Sequence, residues 1–172
     1  MPAPPVLPDD RDQLRPPVVI GRPSPGDAGA CHELVKATGV LDVNSRYAYA
    51  IWFRDFSTTS VIARIESDLA GFVTGYRRPD EPSTLVVWQV AVDASARGRG
   101  VAGAMLDTLF DGVPDVDHME TTITPDNDGS IALFSRFAQR RSADVVHSEL
   151  FGSEVLGAEH LPEILFRIGP IT

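Results

Sequence analysis

The apolar residues in the middle of the chain follow two different periods. Residues 85–92 form a valine-rich run that ends at Asp93, which is typical of a buried β-strand. Beyond it, apolar residues recur every three or four positions, so that one face of a helix is apolar. These residues are Val101, Ala102, Met105, Leu106, Leu109 and Phe110. The pattern therefore predicts a strand followed by an amphipathic helix.

The same two periods, separated by turns rich in proline and glycine, predict the other elements. Helices are predicted at residues 27–38, at about 45–56 and at about 127–141. Further strands are predicted at residues 18–22, 60–65, 69–76, 119–124, 145–151 and 164–168. Residues 77–83 are predicted to form an exposed polar loop. The order is thus strand, two helices, three strands, helix, strand, helix and two strands.

The joint between the central strand and its helix reads ARGRGVAG, residues 96–103. Its glycines allow backbone N–H groups to approach a ligand closely, and the first turn of a helix leaves several N–H groups unpaired. Such a place binds anions. Arg97 and Arg99 add positive charge at this joint, although the chain as a whole has a net charge of −9.

Length and composition exclude several classes of protein. The 172 residues suit one domain, predicted at 17–172, after a disordered proline-rich leader at 1–16. No run is long and apolar enough to span a bilayer, so no membrane contact is expected. The acidic balance argues against nucleic acid as a partner. A single cysteine, Cys31, excludes an internal disulfide, and the leader lacks the apolar core of a secretory signal, so we expect a cytoplasmic protein.

Arg97, Gly100 and Ala102 fit the pattern R/Q-x-x-G-x-G/A, and the stretch resembles the pyrophosphate loop of the GNAT acyltransferase superfamily. The order of elements is also that of the superfamily, and Asn127 matches its next motif. The resemblance implies an α/β fold with a mixed (α+β) sheet, flanked by helices and splayed between the central strand and the next. It also implies acetyl-CoA as co-substrate. The implied cofactor-binding residues are Val90, Ala91, Val92, Arg97, Gly98, Arg99, Gly100, Val101, Ala102, Asn127 and Phe134.

Two of these positions carry chemistry in the superfamily. A backbone N–H near Val90 is expected to polarise the thioester carbonyl, as an oxyanion donor does. A tyrosine often protonates the departing thiolate, and the matching residue here is Phe134, which leaves that acid unassigned.

A closer resemblance covers about residues 18–170. Residues 39–63, 71–93, 120–141 and 160–170 resemble the diaminobutyrate acetyltransferases of ectoine biosynthesis, which acetylate the γ-amine of L-2,4-diaminobutyrate. The resemblance implies a small-molecule diamine as acceptor and direct attack within a ternary complex. Because the superfamily commonly pairs through its terminal strands, it also implies a homodimer.

The resemblance places candidate acceptor-binding residues in these segments: Asp42, Tyr47, Trp88, His160 and Glu163. The two carboxylates would bind ammonium groups, Tyr47 and His160 would donate or accept hydrogen bonds, and Trp88 would form an apolar or cation–π wall. Trp88 is predicted to lie on the same face of its strand as Val90. Without the resemblance, Trp88 is equally compatible with core packing and the carboxylates with solvated loops.

The chemistry also requires a base, because an amine that carries its proton, with a pKa of about 10 as in lysine, is not a nucleophile. Glu163 and Asp42 are the first candidates, and Glu120 is a secondary one. The four histidines show no paired spacing of the kind that binds metals, so no metal is predicted.

Two other functions stay open from the sequence. The first is the same transfer to another small amine or to a protein N-terminus, which should not depend on Asp42 or Glu163. The second is an acyl-CoA-binding module without turnover, which only Phe134 favours.

Overall fold

A seven-stranded mixed sheet forms the centre of the structure, a computed structural model that describes residues 16–39 and 41–172. The strands are β1 (Val18–Gly21), β2 (Val61–Ile65), β3 (Asp68–Arg78), β4 (Glu81–Val92), β5 (His118–Ile123), β6 (Val145–Phe151) and β7 (Glu163–Ile168). They lie in the order β1-β2-β3-β4-β5-β7-β6. Neighbours are antiparallel except β4 and β5, which are parallel.

Helices cover both faces of the sheet, which confirms the predicted mixed α/β architecture. They are α1 (Ala28–Thr38), α2 (Arg46–Asp55), α3 (Val101–Gly112), α4 (Asp128–Arg140) and the short α5 (Ser153–Leu156). Within the described ranges, no helix is both long and apolar enough to cross a membrane. The predicted leader lies outside the described residues, apart from Pro16, whose carbonyl accepts a hydrogen bond from Arg99 at 2.7 Å.

Two hydrophobic cores lie on opposite faces of the sheet. Beneath α3 and α4, Met105 and Leu106 are fully buried and pack with the aromatic ring of Phe137, as the helical period predicted for α3. Beneath α1 and α2, Tyr49 and Cys31 belong to the second core. Burial raises the pKa of the Cys31 thiol to about 12, so this cysteine is an inert core residue rather than a nucleophile.

The parallel pair at the centre of the sheet is short. β4 and β5 pair only over three residues, from Thr84 opposite His118 to Val86 opposite Glu120. Beyond this point the two strands separate, and residues 87–92 of β4 have no strand beside them on that side. The sheet is therefore splayed where the resemblance predicted it.

A β-bulge in β4 reverses one prediction about Trp88. The register with β3 shifts between Thr74 and Gly75, so that Trp88 is an extra residue of β4. Its ring lies against Trp52 of α2, with centroids 4.5 Å apart, whereas Val90 packs toward the core beneath α3 and α4. The prediction that Trp88 and Val90 share a face was wrong, because one extra residue changes the side toward which every following side chain points.

The predicted polar loop at 77–83 is mostly strand. β3 continues to Arg78 and β4 begins at Glu81, so only a tight turn joins them. The charged residues here do not form an exposed loop, because Arg78 and Glu81 belong to an ion network with Glu120 and Arg167. Polar composition alone did not reveal partners so distant in sequence.

Gly75 in β3 should tolerate no side chain. A Cβ atom there would come 2.8 Å from the carbonyl oxygens of Thr59 and Val86, and backbone oxygens cannot move aside easily. We expect Gly75→Ala to lower the free energy of unfolding by about 1–3 kcal/mol, measured by urea denaturation. The matched control is Gly21→Ala in β1, where a Cβ atom meets nothing within 4 Å; equal stabilities of the two variants would contradict the prediction.

Candidate active site

The gap between β4 and β5 contains a cavity of about 340 Å³, here called the splayed cleft. Its walls come from the middle of β4, the end of β5, the start of α4, the loop between α1 and α2, and the loop before β7. Five segments distant in sequence therefore meet at the place where the sheet opens.

Backbone groups of β4 face the splayed cleft. Asp93 donates its N–H to Ala70 of β3 at 2.9 Å, and in an antiparallel ladder alternate residues bond to the same neighbour. The N–H and C=O groups of Val90 and Val92 therefore point away from β3, toward the side where β5 has separated. An extended ligand that carries amide groups can bond to this edge as a strand would, and the N–H of Val90 can polarise a carbonyl oxygen.

The glycine-rich joint forms a second cavity, of about 480 Å³, here called the glycine-loop cavity. Gly98 and Gly100 have φ values of 74° and 73°, which residues with a Cβ atom adopt only with strain. This conformation turns the chain into the first turn of α3, where the N–H groups of Val101, Ala102 and Gly103 have no partner within the helix. The cavity suits a diphosphate.

Arginine side chains give the glycine-loop cavity a positive wall. Arg97, one of the residues predicted to bind the cofactor, lines the cavity together with Arg136 and Arg140 of α4. The two arginines of α4 were not predicted to lie here, although their spacing of four puts both on one helix face. Arg140 also donates to Asp107 at 2.9 Å. Arg99 does not line the cavity, because its guanidinium bonds to the carbonyl of Pro16.

The two cavities follow one another along β4 and α4. Val90 and Phe134 line the splayed cleft, whereas Val92 and Leu133 line the glycine-loop cavity. Their succession along these two elements suits a ligand with a diphosphate at one end and an extended arm at the other. Among the residues predicted beside it, Ala91 is 3% exposed and packs into the core under α1 and α2.

Asn127 and Phe134 lie on the α4 side of the splayed cleft. The side-chain oxygen of Asn127 accepts the N–H of Ser130 at 3.0 Å and caps α4. Its amide nitrogen is the group that remains for a ligand. Phe134 is buried and supplies an apolar wall with no proton to give.

Four of the residues predicted to bind the acceptor line the splayed cleft: Asp42, Trp88, His160 and Glu163. Asp42 comes from the loop between α1 and α2, and the last two come from the loop before β7 and the start of β7. Tyr47 is not brought to the cleft, because it lies on the outer face of α2 with 75% of its surface exposed.

Glu120 lies at the closed end of the splay and is 5% exposed. Arg167 donates to it at 2.5 Å and Arg78 at 3.1 Å, and both arginines also bond to Glu81. Two guanidinium groups thus occupy the carboxylate that was predicted as a secondary base. The network joins β3, β4, β5 and β7 where the parallel pair is formed.

The ion network makes one contribution to stability that depends on pH. The hydrogen bond from Arg167 holds the pKa of Glu81 below its usual value. The ion pair of Glu81 therefore stabilises the fold fully above the pKa that Glu81 has in the unfolded chain. This stabilisation is lost as the pH falls through the lower pKa that Glu81 has in the folded protein.

The splayed cleft also contains polar residues that were not predicted to lie there. Gln89 and Asn44 line the splayed cleft, as do the threonines at the end of β5. Gln89 is the one polar residue within the otherwise apolar run 85–92, which was a usable indication. Within residues 16–39 and 41–172, no group of three or more His, Cys, Asp or Glu side chains is placed to hold a metal ion.

Comparison with known proteins identifies the class to which this architecture belongs. Residues 30–138 match the model of the acetyltransferase (GNAT) family, so the chain belongs to the GNAT acetyltransferases.

Within that class the chain belongs to the family of L-2,4-diaminobutyric acid acetyltransferases. It is 47% identical over 155 residues to the enzyme of that name from Nocardia farcinica, covering 89% of this chain and 80% of that one. It is 46% identical over 158 residues to the enzyme from Streptomyces coelicolor, covering 89% and 93% of the two chains. A solved structure of diaminobutyrate acetyltransferase EctA from Paenibacillus lautus, in complex with its substrate L-2,4-diaminobutyric acid and coenzyme A, has 39% identity and a TM-score of 0.86 over 90% of this chain and 96% of that one.

Glu120→Gln should destabilise the fold rather than stop turnover. The change leaves Arg78 and Arg167 beside a neutral amide, and we expect it to lower the free energy of unfolding by about 1–3 kcal/mol, measured by denaturant titration. Glu33→Gln is the matched control, since Glu33 pairs with Arg46 at the surface and such pairs contribute little. Loss of turnover with unchanged stability would instead support Glu120 as the base.

Proposed function

We propose that this protein transfers the acetyl group of acetyl-CoA to the γ-amino group of L-2,4-diaminobutyrate, giving N4-acetyl-L-2,4-diaminobutyrate. The observation that carries the proposal is the succession of the glycine-loop cavity and the splayed cleft along β4 and α4, with two carboxylates in the cleft. Membership of the diaminobutyrate acetyltransferase family, whose EctA member was solved with this amine and coenzyme A, supports the choice of both substrates.

Acetyl-CoA lies along β4 in this proposal. Its diphosphate occupies the first turn of α3 beside Arg97, and its pantetheine amides bond to the free backbone groups of Val90 and Val92. This arrangement brings the thioester into the splayed cleft. The N–H of Val90 then stabilises the negative charge that develops on the carbonyl oxygen.

The acceptor approaches from the side of the α1–α2 loop. Asp42 and Glu163 bind its ammonium groups, His160 supplies a hydrogen bond, and Trp88 forms the wall against its short carbon chain. Tyr47, which points outward in the described protomer, is assigned no contact.

The transfer is a direct displacement at the thioester. One carboxylate, Glu163 or Asp42, takes a proton from the γ-ammonium, because only the neutral amine has a lone pair to donate. The amine nitrogen forms a bond to the acetyl carbon, and the carbon–sulfur bond breaks with its electron pair leaving on sulfur. The nitrogen then gives up its second proton, which reaches the thiolate through water. A thiolate is a tolerable leaving group, with a pKa of about 8.5 for an ordinary thiol, so water can protonate it where Phe134 cannot.

Acceptor choice provides the test of this function. The release of free thiol from acetyl-CoA measures the reaction with each amine. We expect kcat/KM to be at least about tenfold higher for L-2,4-diaminobutyrate than for ornithine, lysine or spermidine, because a fixed pair of carboxylates discriminates between amine spacings. Proton NMR of the product should place the acetyl group on the γ-nitrogen. Cys31 is 0% exposed and should not consume the thiol reagent.

Two variants separate this acceptor from the alternatives. Asp42→Asn and Glu163→Gln should each lose activity with diaminobutyrate, and the one that removes the base should also lose the rise of rate with pH. Preference for another amine would contradict the acceptor assignment while sparing the cofactor site. Binding of acetyl-CoA without turnover of any amine would favour a binding module.

The proposed reaction belongs in the cytoplasm, where acetyl-CoA is available. Its product is the precursor that cyclises to ectoine, a compatible solute, and the acidic composition accords with a salty interior. Membership of the family supports this placement, and so does the presence of a single cysteine, which is buried.

A homodimer is also proposed, formed through the C-terminal part of the sheet. β6 is an edge strand, and exposed apolar side chains lie along it: Val146, Leu150 and Phe151. An exposed, apolar edge of this kind favours pairing with another chain.

Light scattering tests the dimer. The wild-type protein should have twice the mass of the chain, and Val146→Lys should shift it toward the monomer because a charge would be buried in the interface. Val19→Lys is the matched control, since Val19 is a similarly exposed valine on β1 at the other edge. A monomeric wild-type protein would overturn the proposal.

A further inference from the structure

The loop between α1 and α2, here called the Asp42 loop and spanning residues 41–45, is irregular. Side chains from neighbouring elements hold it in place. The amide nitrogen of Gln89 donates to the backbone carbonyl of Asp42 at 3.0 Å, and Nδ1 of His32 lies 2.9 Å from the carbonyl of Asn44. Because a carbonyl can only accept, Nδ1 of His32 carries the proton.

Gln89 reaches this loop only because of the bulge at Trp88. After the extra residue, the side chain of Gln89 points toward α1 and α2, where it is 8% exposed. Its amide oxygen accepts the hydroxyl proton of Tyr49 at 2.6 Å. Tyr49 itself is 1% exposed, with its ring against Phe72 at a centroid distance of 5.7 Å.

The two hydrogen bonds of Gln89 fix the orientation of its amide. If the amide were reversed, its oxygen would face the carbonyl oxygen of Asp42 and neither atom could donate. The carbonyl therefore sets the position of the nitrogen, and the oxygen is left to accept from Tyr49. A rigid chain runs from the core of α2, through β4, to the backbone of the residue whose carboxylate lines the splayed cleft.

We infer that Gln89, held by Tyr49, is a positioning residue that fixes the Asp42 loop and thereby the Asp42 carboxylate against the acceptor. The inference rests on the proposed function for the identity of the acceptor. Gln89 lines the cleft, but Tyr49 does not, so an effect of Tyr49 on the acceptor must pass through its hydrogen-bond partners, Gln89 and the loop residue Asn44. The bulge thus couples the strand that carries the thioester to the loop that carries the ammonium partner.

Steady-state kinetics of Tyr49→Phe and Gln89→Leu test the inference. Loss of one or two buried hydrogen bonds should raise the KM for diaminobutyrate by about three- to thirtyfold. The KM for acetyl-CoA should change by less than about twofold, since the glycine-loop cavity is untouched. A simple loss of folded protein would lower the apparent kcat and leave both KM values unchanged.

A double-mutant cycle identifies the residue through which Gln89 acts. In an Asp42→Ala background, Gln89→Leu should have no further effect on the KM for diaminobutyrate, because the carboxylate to be positioned is gone. Additive effects would overturn the inference and indicate that Gln89 contacts the acceptor directly. If Gln89→Leu fails to fold, the same cycle with Tyr49→Phe, which removes one oxygen only, decides the question.

A second measurement does not depend on turnover. Amide hydrogen exchange in Tyr49→Phe should be faster within residues 41–45 and unchanged in α3 and β5. Phe110→Leu is the matched control for a buried aromatic change, since Phe110 packs against Phe137 on the other face, and it should leave exchange in the Asp42 loop unaltered. Unchanged exchange in Tyr49→Phe would overturn the inference, whereas a wild-type protein that does not acetylate diaminobutyrate would overturn the proposed function alone.

Discussion

The separation of β4 from β5 is the constraint on which the rest of the site depends. Backbone N–H and C=O groups inside a protein require partners, yet β4 continues for six residues, 87–92, beyond its last pair with β5. The groups of Val90 and Val92 on that side are therefore available to a ligand that pairs as a strand does. In the proposed complex, the pantetheine arm of acetyl-CoA bonds to these groups.

An ion network lies at the closed end of the splay, where β4 and β5 pair, and a β-bulge lies at the open end. At the closed end, Glu120 is held between Arg78 and Arg167, so charges from four strands fasten the point at which the parallel pair begins. At the open end, the bulge at Trp88 turns the following side chains over and sends Gln89 toward α2. The carboxylate of Glu120 is thus paired with two arginines, and the uncharged amide of Gln89 bonds to the loop that carries Asp42.

Charge is distributed unevenly between the two substrates. The chain has a net charge of −9, but arginines line the glycine-loop cavity, where the anionic end of acetyl-CoA would lie. The carboxylates of Asp42 and Glu163 line the splayed cleft. The local fields therefore favour an anion at one end and a cationic amine at the other.

The sequence by itself determined most of the helices and strands and the glycine-rich joint before α3. The period of the apolar residues in α3 and the glycines at 98 and 100 act within a few neighbouring residues, so their spacing is visible in one dimension. The resemblance to a family added the candidate acceptor-binding residues, four of which line the splayed cleft.

Only the tertiary structure decided which polar groups face the reaction. The role of Glu120 depends on Arg78 and Arg167, which are 42 and 47 residues away, and composition does not record such partners. The side of the sheet on which Trp88 lies depends on one extra residue in β4, and the alternation of side chains along a strand does not reveal where a bulge occurs. Tyr47 lies in a segment typical of the family, yet the geometry of α2 turns it outward. Short-range patterns fix elements, whereas the site arises from contacts between segments far apart in the chain.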